Sequence, residues 1–170
     1  ITLSRVLLNF PISTITTDRA AGTIPDSGSV SFYLRMFNAV TPYTVPRNFT
    51  LVASAVSGAK NNDDSTTYDF SWQEGNGVDM EGYTDVTRDG DGTNWFNMGT
   101  SSVYDKVIKW GNQGSISAGG AYFTDASSSF TQTFDDGTED LEIDVTTLVE
   151  QWLNSTGNVL GSKTNYGIGV

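Results

Sequence analysis

Apolar residues in this chain recur mostly at every second position, in short runs. The clearest run lies between Gly28 and Ala39, where Val30, Phe32, Leu34 and Met36 share one face and Ser31, Tyr33 and Arg35 the other. That period predicts a strand with one face in the core. Arg5 to Phe10 repeats the pattern with Val6, Leu8 and Phe10, and Pro11 ends it. Phe49 to Val56, Tyr104 to Trp110 and Phe130 to Phe134 read as further strands, the last followed by an Asp136-Gly137 turn signal. Leu141, Ile143 and Val145 alternate with Glu142 and Asp144. Short strands, Gly/Asp turns and long loops predict an all-β chain built as an antiparallel β-sandwich.

The period changes once. Val145, Leu148, Val149 and Trp152 fall at i, i+3, i+4 and i+7, the apolar stripe of a helix over about 146–154. Thr147 and Glu150 have capping-box spacing, and the Asp144 carboxylate can cap backbone N–H groups at the helix start. Trp152 reads as core, and Asn165-Tyr166-Gly167 as the turn into a final strand. This is the one clear helix that the pattern contains, placed to close an end of the sandwich. Residues 12–27, rich in Thr, Ser, Gly and Pro, read as a loop. So do the stretch between Pro42 and Pro46, the polar segment Ala59 to Tyr68, the Gly/Asp-rich region 70–98, and Ser115 to Ser129.

Composition narrows the chemistry. The 170 residues contain neither Cys nor His. Disulfides, thiolate nucleophiles, His-based triads and the usual transition-metal sites are excluded, and Ser or Thr would lack a His partner to activate it. Formal charge is −11, with nine basic residues scattered along the chain. Nucleic acid and anionic membrane surfaces are therefore disfavoured as partners. No run approaches the ~18 apolar residues of a membrane span, so no membrane insertion is expected. The length suits a single domain over 1–170. The chain opens on Ile-Thr-Leu and closes in mid-strand at Val170, which reads as a section of a longer polypeptide.

Several segments, taken in order, resemble DNRLRE-type jelly-roll domains. Ser4-Arg5-Val6-Leu7-Leu8-Asn9-Phe10 is similar to the family's early "S-R-x-L-x-x-F" strand, and Ser29 to Ala39 to its next strand. Ser71-Trp72-Gln73-Glu74-Gly75 resembles "S-W-x-E-G", and Thr93-Asn94-Trp95 a later "x-x-W". Asp144-Val145-Thr146, Leu148-Val149 and Trp152, followed by Asn165-Tyr166-Gly167, resemble the closing segment. The resemblance implies a jelly-roll sandwich similar to certain carbohydrate-binding modules. The long Gly/Asp/Ser insertions are most similar to those of tailed-bacteriophage structural proteins, cyanophage proteins among them. Such domains usually carry a strand before the first motif, so this chain lacks it, through truncation or through supply by a neighbouring subunit.

Asp89-Gly90-Asp91-Gly92-Thr93-Asn94 sets oxygens at alternate positions around a Gly, which suits Ca2+. Asp89, Asp91 and Asn94 are the candidate ligands, with Asp79, Glu81 and Asp85 as possible co-ligands. The EF-hand pattern fails, because its twelfth position is Thr100, and Asp and Gly are equally ordinary turn formers. Asp135-Asp136-Gly137 likewise reads as a turn. Tyr83, Trp95 and Trp110, with Trp72 and Tyr122, could form a glycan-stacking platform, or could fill the core. Glu142 and Asp144 are the carboxylates nearest apolar residues, and capping accounts better for Asp144 than catalysis.

These readings lead to a non-enzymatic structural and interaction protein. It is expected in many copies in a bacteriophage virion, as capsid decoration, tail or fibre, contacting other virion subunits or a host-surface glycan. The alternative is a carbohydrate-binding module of a secreted or cell-surface bacterial protein. A fragment of a polysaccharide depolymerase is a further possibility.

Overall fold

The structure is a computed structural model. It describes residues 6–57 and 122–170, together with the backbone of 97–101 and 106–109. Eight strands and two helices lie among these residues: β1 (Leu7–Leu8), α1 (Ser13–Ala20), β2 (Tyr33–Met36), β3 (Phe49–Ala55), β4 (Asn97–Ser101), β5 (Lys106–Lys109), β6 (Ser129–Phe134), β7 (Leu141–Asp144), α2 (Thr146–Leu153) and β8 (Ile168–Gly169). Each strand ladder between them is antiparallel. The elements among the described residues are thus mostly strands in antiparallel sheets with few helices, as the alternation predicts. It divides into two compact units.

The first unit comprises residues 1–9, 56–122 and 166–169. In it β1 pairs with β8, setting Leu7 against Gly169 and Leu8 against Ile168. Val56 bridges Tyr122, and its N–H donates to the Gly167 carbonyl at 2.9 Å. A Cβ on Gly169 would run into the Tyr122 ring, so any side chain there would have to displace that ring. β4 and β5 pair with a register shift between Asn97 and Gly99. The expected strand from Arg5 to Phe10 is shorter than its alternation suggests, and Val6 and Phe10 are exposed.

The second unit comprises residues 10–55, 123–165 and 170. β2 pairs with β7 in a register that sets Leu34 opposite Ile143, both buried. Tyr33 and Arg35 are exposed, as the period-2 pattern requires. β3 pairs with β6 from Phe49↔Phe134 to Ser54↔Ser129. The two phenylalanines stack at 4.9 Å, and the Thr50 and Thr133 hydroxyls meet at 3.1 Å across the ladder. The Gln132 side chain joins β6 to β7, donating to the Asp140 carbonyl and accepting from the Glu142 N–H.

The α2 stripe is realised in full: Val145, Leu148, Val149 and Trp152 are all buried. Leu34, Ala53, Ala55, Phe134, Leu141, Ile143 and Leu153 are buried with them in this unit. Asn154, in the left-handed region at φ 42°, ends α2, a conformation that Asn tolerates better than most residues.

Two expectations need correction. Residues 12–27 are not all loop, because α1 occupies Ser13–Ala20. Its Thr-rich sequence is a poor helix former, and the Thr16 and Thr17 hydroxyls bond back to carbonyls four residues earlier. Gly22, at φ 74°, stops it: the Gly22 N–H donates to the Arg19 carbonyl and the Thr23 N–H to the Asp18 carbonyl, a Schellman closure. The capping box does not form either. The Thr147 hydroxyl donates to the Ser127 carbonyl, and the Glu150 carboxylate is engaged by an arginine.

Candidate functional site

The sequence candidates separate into two groups. Trp72, Tyr83, Trp95 and Trp110 of the proposed glycan platform lie outside the described residues. So do Asp89, Asp91 and Asn94, the calcium candidates, and their possible co-ligands Asp79, Glu81 and Asp85. Among the described residues no group of three or more Asp, Glu, His or Cys converges to hold a metal ion. No helix among them is long and apolar enough to cross a membrane.

The remaining candidates lie around α2 and β8. The Asp144 Oδ1 accepts the Thr146 N–H at 2.9 Å, satisfying a donor that the helix start leaves open. The Thr146 hydroxyl and N–H lower the Asp144 pKa. Trp152 and Tyr166 are buried. Glu142 pairs across the ladder with Arg35 at 2.9 Å, with both side chains more than half exposed. At that exposure the pair contributes little.

A buried charge pair, absent from the sequence reading, joins the two helices of the second unit. Arg19 Nη1 lies 2.7 Å from Glu150 Oε2, and Nη2 lies 2.6 Å from Oε1. The fork is bidentate, and both side chains are at least 96% buried. Arg19 also donates to the Ser155 hydroxyl, and its guanidinium lies 5.8 Å from the Phe32 ring centre. These contacts hold Glu150 below the ordinary carboxylate range, with the Arg19 hydrogen bonds the largest cause, and raise Arg19 above its own. Both groups stay charged, so the pair supplies neither a general acid nor a base.

A second polar cluster binds the turn before β6 to α2. Asp125 Oδ1 accepts the Ser127 N–H at 3.2 Å, the Ser127 hydroxyl at 2.5 Å and the Ser128 hydroxyl at 3.1 Å. Lys163 Nζ donates to Gln151 Oε1 at 2.7 Å and lies 3.4 Å from the Asp125 carboxylate. It also sits 4.9 Å from the Phe123 ring centre. Gln151 Nε2 returns to the Ser127 carbonyl and hydroxyl. Serine, lysine and aspartate here stand close enough to suggest a nucleophile. Yet the Ser127 proton points at a carboxylate whose pKa is lowered to about 2, first by Ser127 itself. Such a carboxylate is too weak a base to activate serine. The cluster fastens a turn to a helix.

The β6–β7 turn places Asp135 and Asp136 in a loop built around Glu139. Glu139 Oε1 accepts the Asp135 and Asp136 N–H groups, and Oε2 accepts that of Thr138. Backbone donors, Asp136 first and then Glu139 itself, lower the Glu139 pKa to about 2. Gly137 sits at φ 75°, and a Cβ there would lie 1.8 Å from the Pro46 carbonyl oxygen.

Against this turn lies the segment from β2 to β3; the strand expected to run on to Ala39 ends at Met36, so Phe37 to Ala39 join the loop expected between Pro42 and Pro46. Its two ends are held to the turn. The Asn38 N–H donates to Asp140 Oδ1 at 2.8 Å and its side-chain amide to the Gly137 carbonyl at 3.0 Å. At the other end the Asn48 N–H donates to the Asp135 carbonyl at 3.2 Å. Val40 at 103% and Tyr43 at 82% exposure lie between these anchors, and Phe37 at 81% directly precedes the first. Three large apolar side chains this open within seven residues differ from the singly scattered exposed residues that any surface carries.

No protein-family model, curated protein or solved structure matches the chain. The likeness to DNRLRE-type domains therefore rests on the motifs quoted above.

Proposed function

We propose that this chain is a non-enzymatic interaction domain, a jelly-roll component of a bacteriophage virion that acts through contacts with other virion subunits or the host surface. The observation that carries the interaction reading is the outward display of Phe37, Val40 and Tyr43 on a loop fixed at both ends. A solvated loop gains nothing from such side chains, whereas a contact surface does. The chain's chemistry agrees with this. It has no His or Cys, and the polar clusters of the second unit are spent on fastening elements together. The virion setting and the jelly-roll topology come from the resemblance to DNRLRE-type domains of tailed bacteriophages. Net charge of −11 would keep many displayed copies from clumping.

The test is mass spectrometry of purified particles of the phage that encodes the chain. The reading expects the chain in the particle at a copy number well above one. Its absence from particles, with the protein present in the lysate, would contradict the reading.

A further inference from the structure

The geometry points to the β2–β3 loop and the β6–β7 turn as one docking surface for a basic, apolar-bearing segment of a partner protein. This inference deepens the interaction reading and rests on it. The surface has two parts, held together by the Asn38 and Asn48 hydrogen bonds. One part exposes Phe37, Val40 and Tyr43 and carries a single charge, Arg47 at its far end, beside the Asn48 anchor. The other is acidic: Asp135, Asp136 and Asp140 are exposed on the adjoining turn.

Charge decides the occupant. Exposed apolar side chains alone would accept any apolar surface. With three exposed carboxylates at its border against the one cation, Arg47, the surface is net acidic and favours a partner that brings Lys or Arg beside its own apolar groups. A second copy of this chain is disfavoured, because two molecules of charge −11 would bring acidic surfaces together. The surface is also prepared for binding. Its loop is fixed at both ends, so less conformational freedom is lost on contact than from a free loop.

The probe is an amphipathic peptide with Leu and Trp on one face and Lys on the other, titrated into the full chain. A matched peptide with Glu in place of Lys is the comparison. The inference expects the Lys peptide to bind and the Glu peptide not to. Phe37→Ser with Tyr43→Ser should weaken binding about 10-fold or more, in keeping with the few anchors that dominate contact surfaces. Asp136→Asn with Asp140→Asn should weaken it about 3- to 10-fold and flatten its salt dependence. The amide at position 140 keeps the acceptor for the Asn38 N–H. Val159→Ser, an exposed apolar residue on another loop, should leave binding unchanged.

Equal binding of both peptides, no binding of either, or loss on Val159→Ser would overturn the inference. So would binding to phosphatidylcholine vesicles that needs the same loop, or concentration-dependent self-association that the loop variants abolish. If the chain is in the particle and the loop variants still bind the peptide, this surface is wrong and the virion reading stands. A chain missing from particles removes the virion reading instead, whatever the peptide does.

Discussion

Two regions of the second unit invert the usual arrangement of polar and apolar groups, and they do so for different reasons. At α2 a full charge pair is buried, Arg19 against Glu150, beneath the helices it joins. At the β2–β3 loop, Phe37, Val40 and Tyr43 are turned outward. Most of the buried pair is matched within the chain: two short hydrogen bonds, a serine hydroxyl and an aromatic face meet the guanidinium, and its Nε alone is left without a hydrogen-bond partner. The exposed side chains have no such match. A charge placed inside costs stability unless the fold supplies partners for it. Apolar groups placed outside leave folding nearly unaffected, so they are free to serve contact. The first region is therefore expected to govern stability and the second association.

The largest expected effect comes from acid, which acts on the first region, on the turn fastened to α2 and on the Glu139 turn beside the second region. Glu150, Asp144, Asp125 and Glu139 are all held below their ordinary values, the last two at about 2. A carboxylate depressed on folding adds stability that is full above its unfolded value and is lost as pH falls toward the folded one. For Glu139 that window runs from 4.5 down to about 2, and for Asp125 from 3.8 down to about 2. Urea midpoints measured from pH 7 to pH 2 should fall steeply below pH ~4.5. A flat profile there would break the assignment.

Glu150→Ala follows. It leaves Arg19 charged and buried, and should cost about 3–5 kcal/mol in chemical denaturation. Arg19→Met with Glu150→Leu removes both charges, and should be far milder than either single change. Gly137→Ala meets a left-handed φ and the Pro46 carbonyl at once. About 1–3 kcal/mol or more is expected from the strain, read from the same urea curves. Asp144→Ala removes the acceptor of the Thr146 N–H and should cost about 1 kcal/mol. At the small end, Phe37→Ser with Tyr43→Ser should stay within ~0.5 kcal/mol of the parent, because neither side chain is covered.

Local periodicity explains which parts of this were legible beforehand. β2, β3, β6, β7 and α2 carry their burial pattern in consecutive residues, so alternation and the 145–152 stripe locate them. α1 carries none. Its Thr and Ser residues disfavour helix, and the contact that fixes it reaches Glu150, 131 positions away. The Ala21-Gly22 stop was the one readable sign. The Thr147/Glu150 spacing pointed to a capping box, but distant partners claimed both side chains. The apolar loop was hidden for the opposite reason. The alternation carries the strand on to Ala39 and leaves Val40 and Tyr43 outside it, and only the placement of these side chains beside the acidic turn makes them a surface.

The separation of the two regions is tested most directly by one count: the copies of Phe37→Ser/Tyr43→Ser chain in purified particles, against the parent. The account predicts a variant that folds with an unchanged melting temperature and is missing from particles, or reduced about 10-fold or more. Incorporation at the parental level by that folded variant would contradict it.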